Sequence, residues 1–135
     1  MIRIINIVYL LMFSSLFTYS CALNSKSVFT SQHKTSIVID SIIKHFSCGQ
    51  EQINIYFEVK NTGKNPLIFI DCKTSCGCFV ADCPKDAVEP GKTVKIRSRF
   101  SGIGREGAQE KSLVLHCNTK TEFHILRING FVRKD

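Results

Sequence analysis

Hydrophobic and polar residues alternate with a period of two over much of the chain beyond residue 36. The clearest case is Gln52 to Lys60, where one side of the predicted strand carries the apolar residues Ile53, Ile55, Phe57 and Val59. Thr93 to Phe100 alternates in the same way and directs Val94, Ile96, Ser98 and Phe100 inward. Successive side chains of a strand point to opposite faces, so both segments are predicted to be strands with one buried face.

Other apolar segments, separated by turn residues, predict the remaining strands. They are Ser36–Ile43, Leu67–Cys72, Lys111–Cys117 and Thr121–Val132. Leu67–Cys72 is mostly apolar, which predicts a central strand or one covered on both faces. About seven strands with turns every eight to twelve residues are typical of an immunoglobulin-like antiparallel β-sandwich. We therefore predict an all-β domain whose interior includes Ile55, Phe57, Leu67, Ile96, Phe100 and Leu115, with turns at Gly63, Pro90 and Gly91.

The N-terminal segment indicates export. Ile4–Phe17 is an uncharged apolar run of signal-peptide length that follows Arg3. We predict a signal segment over 1–21, a polar tether over 22–35 and the sandwich domain over 36–135. Ser20–Cys21 fits a lipoprotein signal in which Cys21 carries the lipid, although cleavage nearby and an uncleaved anchor stay open. All three alternatives place the domain outside the cytoplasm, in the periplasm or on the outer surface.

Length and charge limit the possible functions. A chain of 135 residues allows one domain of this kind. The formal net charge is +7, but its basic residues are scattered and form no run. No nucleic-acid-binding motif is present, so we expect no nucleic-acid partner and membrane contact only through the N-terminal anchor.

Cysteine is the unusual part of the composition, with seven residues. If Cys21 is lipidated, six remain as candidates for disulfides or reactive thiols: Cys48, Cys72, Cys76, Cys78, Cys83 and Cys117. An even number of cysteines in an exported domain favours disulfides.

The order of several short motifs resembles a known bacterial family. An aromatic strand ends in Asn61-Thr-Gly63, and then follow Pro66-Leu-Ile, Ser75-Cys-Gly-Cys78, Pro90-Gly91 and a final Leu126-Arg-Ile-Asn-Gly130. This pattern, over roughly residues 37 to 132, resembles the family known as domain of unknown function 1573. The resemblance implies an exported immunoglobulin-like sandwich and implies no established activity. Phe79 stands where the family usually has Thr, and Cys48, Cys72, Cys83 and Cys117 are additional to its pattern.

Three roles are open for the Cys76-Gly77-Cys78 segment. Structural disulfides are the first, with Cys72–Cys83 as a natural pair and Cys76–Cys78 as a short, more easily reduced one. A copper or zinc site on Cys76 and Cys78 is the second, completed by Cys72, Cys83, His116 or Cys117. A redox-active thiol pair is the third, although the Cys-x-x-Cys spacing and βαβ context of thioredoxins are missing.

The titratable residues do not form a recognisable catalytic arrangement. Asp40, Asp71, Asp82 and Asp86 have no spacing that suggests general acid–base work. We therefore expect a binding or structural module of the cell envelope that is not an enzyme, needs no cofactor, and binds an unidentified protein or envelope component. The alternative is a metal-handling or thiol-redox protein that uses Cys76 and Cys78.

Overall fold

A computed structural model of the chain describes residues 33–134. The predicted signal segment and Cys21 lie outside the described residues. Within that range the chain forms eight strands: β1 (Ile37–Ile39), β2 (Ile43–Cys48), β3 (Gln52–Asn61), β4 (Phe69–Thr74), β5 (Phe79–Asp82), β6 (Thr93–Ser101), β7 (Gly107–Cys117) and β8 (Phe123–Val132).

The strands make two four-stranded sheets that pack face to face. One sheet has the order β1-β3-β6-β5 and the other the order β2-β8-β7-β4. The apolar side chains between them form a single core, whose largest fully buried members are Phe57, Phe79, Phe100, Leu67, Ile96, Leu113, Leu115, Leu126 and Ile128. The predicted class, an all-β immunoglobulin-like sandwich, is confirmed.

The period-two patterns located the interior correctly. All six side chains predicted to face inward are buried: Ile55, Phe57, Leu67, Ile96, Phe100 and Leu115. The predicted turn at Pro90-Gly91 is also present, and Gly91 adopts a φ of 78°, which side chains with a Cβ rarely tolerate. The Lys92 N–H donates to the Glu89 carbonyl across this turn at 3.1 Å.

The segment predicted as a single strand over 36–43 is divided between the two sheets. β1 pairs with β3, whereas β2 belongs to the other sheet. Asp40 ends β1 because its carboxylate accepts the Glu58 N–H at 2.9 Å while its own N–H donates to the Glu58 carbonyl at 3.1 Å. The Ser41 hydroxyl then donates to the Ile43 carbonyl at 2.5 Å. These local bonds let the chain cross between the sheets.

Two aspects of the predicted pairing were wrong. β2 lies parallel to β8, with Ile43 opposite Arg127 and Cys48 opposite Val132, so the sandwich is not antiparallel throughout. β4 is an edge strand rather than a central one, and Ile70 is exposed on it. An apolar run alone does not distinguish a central strand from an edge strand whose outer face is also apolar.

Several strand limits also differ from the prediction. β7 begins at Gly107, four residues before the predicted start at Lys111, and β5 had not been predicted at all. Thr35, assigned to the tether, is buried: its N–H donates to the Asn118 carbonyl at 3.0 Å and its hydroxyl to Asn61 Oδ1 at 2.7 Å. Thr35 therefore belongs to the folded domain and not to the tether.

Candidate functional site

The connection from β4 to β5 passes from one sheet to the other at adjacent edges of the sandwich. A disulfide joins Cys72 on β4 to Cys83, which directly follows β5, with their Cα atoms 6.4 Å apart. This bond links the two sheets along that edge. It is the pair that the sequence favoured as a structural disulfide.

A second disulfide, Cys76–Cys78, lies inside the loop that the first one closes. Its Cα atoms are 5.3 Å apart, and only Gly77 separates the two cysteines. The Phe79 N–H donates to the Cys76 carbonyl at 3.2 Å, which makes 76–79 a tight turn. The Cys78 carbonyl accepts the Ser101 N–H at 2.9 Å, so this turn is attached to the end of β6. Gly77 lies exposed at its tip.

A shallow depression of about 140 Å³ opens beside this turn. Cys78 and Gly77 form one side of it, and Gln52, Arg99 and Ser101 contribute polar atoms. Arg99 is the charged residue of the lining, and its closest acidic partner, Asp82, lies 4.0 Å away. The depression is thus lined both by a disulfide-bonded cysteine and by Arg99, whose side chain is half exposed.

The other two described cysteines, Cys48 and Cys117, are unpaired and buried. Burial raises the pKa of the Cys117 thiol to about 12, and burial also raises the pKa of Cys48. Cys48 lies opposite Val132 on β8, and Val132 in turn lies opposite Gly107, the first residue of β7. Cys117 is the last residue of β7. Ten residues of strand separate these positions by about 34 Å, so the two thiols cannot bond to each other. Four of the six candidate cysteines are therefore paired, and these two are inert core residues.

The residues suggested for a metal site are not brought together. Cys76 and Cys78 are bonded to each other, and Cys117 points into the core. His116 faces outward and stacks on Phe123, with ring centroids 4.5 Å apart. Across residues 33–134, no group of three or more His, Cys, Asp or Glu side chains is arranged to hold a metal ion.

A further candidate site is the outer face of the sheet β2-β8-β7-β4. Four apolar side chains from three adjacent strands lie on this face, with Ile43 opposite Arg127, and we call them the apolar face: Ile43, Val114, Phe123 and Ile125. Val114 and Ile125 are direct cross-strand partners, and His116 lies opposite Phe123. Phe123 is 57% exposed and Ile125 48%. Exposed apolar side chains that are contiguous in this way mark surfaces that bind other molecules.

A shallow groove of about 450 Å³ runs along this face. Val114 and Ile125 form its apolar part, and its polar part consists of Ser75, Glu110, Lys111, Ser112 and Arg127. Most charged side chains in and around the groove are paired: Arg127 with Glu110 at 3.6 Å, Lys73 with Asp71 at 3.2 Å and Lys34 with Glu122 at 3.0 Å. The groove therefore has a mixed lining, in which two apolar side chains lie beside polar and largely paired charged ones.

The sequence also contains a pattern that indicates the apolar face. Leu113-Val114-Leu115 and Ile125-Leu126 place apolar residues in both phases of β7 and β8. A strand in which both phases are apolar has two apolar faces. In a sandwich of two sheets only one of them faces the core, so the other is left for solvent or a partner.

The comparisons with known proteins agree with this fold. The family model described as "Protein of unknown function (DUF1573)" matches residues 43–132. The chain belongs to this family. No curated protein sequence matches the chain.

Solved structures of low sequence identity share the fold. A protein of unknown function from Porphyromonas gingivalis W83 is 15% identical, with a TM-score of 0.65 over 80% of this chain and 51% of its own. The ASH / PapD-like domain 7 of human CEP192 is 12% identical, with a TM-score of 0.62 over 76% and 88%. The periplasmic chaperone SfaE is 13% identical, with a TM-score of 0.54 over 74% and 58%. The chain thus spans about half of the first of these structures, and the likeness establishes a PapD-like, immunoglobulin-like sandwich.

The described part of the chain, residues 33–134, contains no helix that is long and apolar enough to cross a membrane.

Proposed function

We propose that this member of the DUF1573 family is an exported, cell-envelope-associated binding module, and that it binds another envelope protein through the apolar face without catalysing a reaction there. The observation that carries this proposal is the cluster of Phe123, Ile125, Val114 and Ile43 on the outside of one sheet. Burying such side chains against a partner gains roughly 25 cal/mol for each Å² of apolar surface removed from water.

Export is supported by the chemistry of the domain. Two disulfides within residues 33–134 are stable in an oxidising compartment and rare in a reducing cytosol. This agrees with the apolar run before Cys21 in the sequence. We propose that Cys21 carries a lipid and holds the domain at the membrane, with the residues between Cys21 and Thr35 as the tether.

The chemistry of the groove indicates the type of partner. Among the charges in and beside it, Arg127 is paired with Glu110 and Lys73 with Asp71. A polyanion such as nucleic acid or acidic polysaccharide would have to compete with these carboxylates. A protein surface with apolar side chains at its centre and few charges suits this groove, because the paired charges need no new partner.

Site-specific photo-cross-linking in cells tests this proposal. A photoreactive phenylalanine analogue replaces Ile125 in the full chain, and the matched control places it at Tyr56, an exposed residue on the outer face of the other sheet. We expect one discrete cross-linked protein from position 125 and none from position 56, both variants being recovered from the envelope fraction.

Two results would contradict the proposal. A cross-link only to a second copy of the chain would make the apolar face a homodimer interface. Equal labelling from positions 125 and 56 would show that the apolar face has no preferred partner.

A further inference from the structure

The two disulfides differ in how much they constrain the chain. Cys72–Cys83 closes a loop of eleven residues and joins the edges of two sheets. Cys76–Cys78 joins residues only two apart, inside that loop. In the chain-entropy model a shorter loop removes less freedom from the unfolded chain. Opening the inner disulfide should therefore leave the outer one, and with it the fold, in place.

The backbone around the inner disulfide is held by contacts that do not involve its sulfurs. The Phe79 N–H bonds to the Cys76 carbonyl, and the Ser101 N–H bonds to the Cys78 carbonyl. The Phe79 side chain is completely buried in the core. These contacts are available to the dithiol as well as to the disulfide, so the turn can persist in both states.

The inner disulfide is partly buried against the core and borders the surface depression through Cys78. Gly77 is exposed, and a Cβ placed on it would meet no atom within 4 Å. Cys78 lines the depression that also contains Arg99. A guanidinium beside a sulfur attracts an incoming thiolate and stabilises a thiolate that forms there.

We propose that Cys76–Cys78 is an exchangeable disulfide that oxidises pairs of thiols in polypeptides or small thiols that enter the depression beside Arg99. This redox function goes beyond the binding function proposed above and rests on different residues. Either proposal can therefore fail without the other.

The thiol–disulfide exchange takes place in two steps. A substrate thiolate attacks Sγ of Cys78, a mixed disulfide forms, the Cys76–Cys78 bond breaks, and Cys76 leaves as a thiolate that takes a proton from water. A second substrate thiolate then attacks the substrate sulfur of the mixed disulfide and releases Cys78 as a thiolate, which also takes a proton from water. The substrate loses two electrons and becomes a disulfide, while Cys76 and Cys78 gain them and become a dithiol. A disulfide of a small thiol, such as glutathione disulfide, reoxidises the dithiol by the reverse steps.

The other cysteines of residues 33–134 are less suited to this chemistry. Cys48 and Cys117 are buried, which raises the pKa of both thiols, and Cys72 and Cys83 form the longer-range bond between the sheets. Among these residues, Cys76–Cys78 is the short disulfide that borders the depression.

Equilibration of the purified full chain with glutathione redox buffers provides the test. After acid quench, alkylation and mass spectrometry, we expect Cys76 and Cys78 to be reduced at a glutathione ratio at which Cys72 and Cys83 remain bonded. The circular dichroism spectrum should not change, since the fold persists. Reduction of the two disulfides together, or reduction of Cys76–Cys78 only when the domain unfolds, would overturn the proposal.

A pair of arginine variants tests the role of the depression. Arg99→Gln should lower the rate constant for reaction with the glutathione thiolate by about threefold or more at low ionic strength, with the difference disappearing at high salt. Arg97→Gln is the matched control, because Arg97 lies on the same strand but bonds to Asp82 at 2.8 Å and does not line the depression. Equal rates for Arg99→Gln and Arg97→Gln would contradict the assignment of Arg99.

Discussion

The two outer faces of the sandwich differ in chemistry although they cover the same core. On the sheet β1-β3-β6-β5, charged side chains pair across strands: Arg97 with Asp82 at 2.8 Å and Lys95 with Glu58 at 3.2 Å. On the sheet β2-β8-β7-β4, the middle of the outer face is apolar, with Val114 opposite Ile125. The charged pairs of the second sheet, Arg127–Glu110 and Lys73–Asp71, lie directly beside these apolar residues.

This difference shows which face is suited to solvent and which to a partner. A paired, charged face keeps its groups hydrated and resists adhesion. An apolar area whose neighbouring charges are paired costs little free energy to desolvate, and its burial against a partner is favourable. Variants in the core, at the disulfide between the sheets and on each outer face test whether the two sheets are alike inside, how they are held together, and how their outer faces differ.

The largest effect is expected inside the sandwich, where the two sheets should be equivalent. Phe57 on β3 and Leu126 on β8 are both completely buried. Phe57→Ala should lower the free energy of unfolding by about 3–5 kcal/mol and Leu126→Ala by about 2–5 kcal/mol, measured by urea denaturation. A loss below about 1 kcal/mol for either would mean that the sheets do not share one core.

The next largest effect is expected from loss of the Cys72–Cys83 disulfide between the sheets. Cys72→Ser and Cys83→Ser should each lower the free energy of unfolding by about 2–5 kcal/mol, because each removes the bond that joins the sheets at one edge. The double variant should cost little more than either single variant, since the same bond is lost. Independent, additive losses would show that this disulfide does not contribute as a unit.

Much of this fold could be predicted from the sequence because one buried face gives each long strand its alternation. Gln52–Lys60 and Thr93–Phe100 are of this kind, and their inward residues are buried except Ile53 and Val94, which are partly buried. β5, with only four residues, and β2, which follows directly on β1, leave no such pattern. Their positions depend on contacts that close only in the folded state, such as the bonds between Asp40 and Glu58.

The candidate sites were less accessible to sequence reasoning. Six cysteines allow fifteen pairings, and only the fold shows that Cys48 and Cys117 lie too far apart to bond. The prominence of Cys76-Gly77-Cys78 was visible in the sequence, but its neighbour Arg99 comes from a strand of distant sequence position. The apolar face likewise depends on the register of β7 with β8, which sets Val114 beside Ile125.

The smallest effect is expected from low pH acting on the charged face, which is the outer face of the sheet β1-β3-β6-β5. The hydrogen bond from Arg97 lowers the pKa of Asp82, so this carboxylate contributes to stability above its unfolded pKa of about 3.9, and the contribution is lost as the pH falls through the lower folded pKa. Asp82→Asn should remove this part of the acid dependence of thermal unfolding. Arg97→Gln should do the same, and the double variant should add nothing. An unchanged acid dependence in both single variants would show that the pair is not formed in solution.

The binding role of the apolar face is tested most directly by the affinity of the full chain for the partner protein recovered by cross-linking. Phe123→Ser and Ile125→Ser truncate the apolar face, and Tyr56→Ser is the matched change on the charged face. The free energies of unfolding of all three variants should stay within about 1 kcal/mol of the wild type. We predict at least a tenfold rise in Kd for Phe123→Ser and Ile125→Ser, about 1.4 kcal/mol, and less than about twofold for Tyr56→Ser. An equal Kd for the wild type and both apolar-face variants would contradict the proposed function.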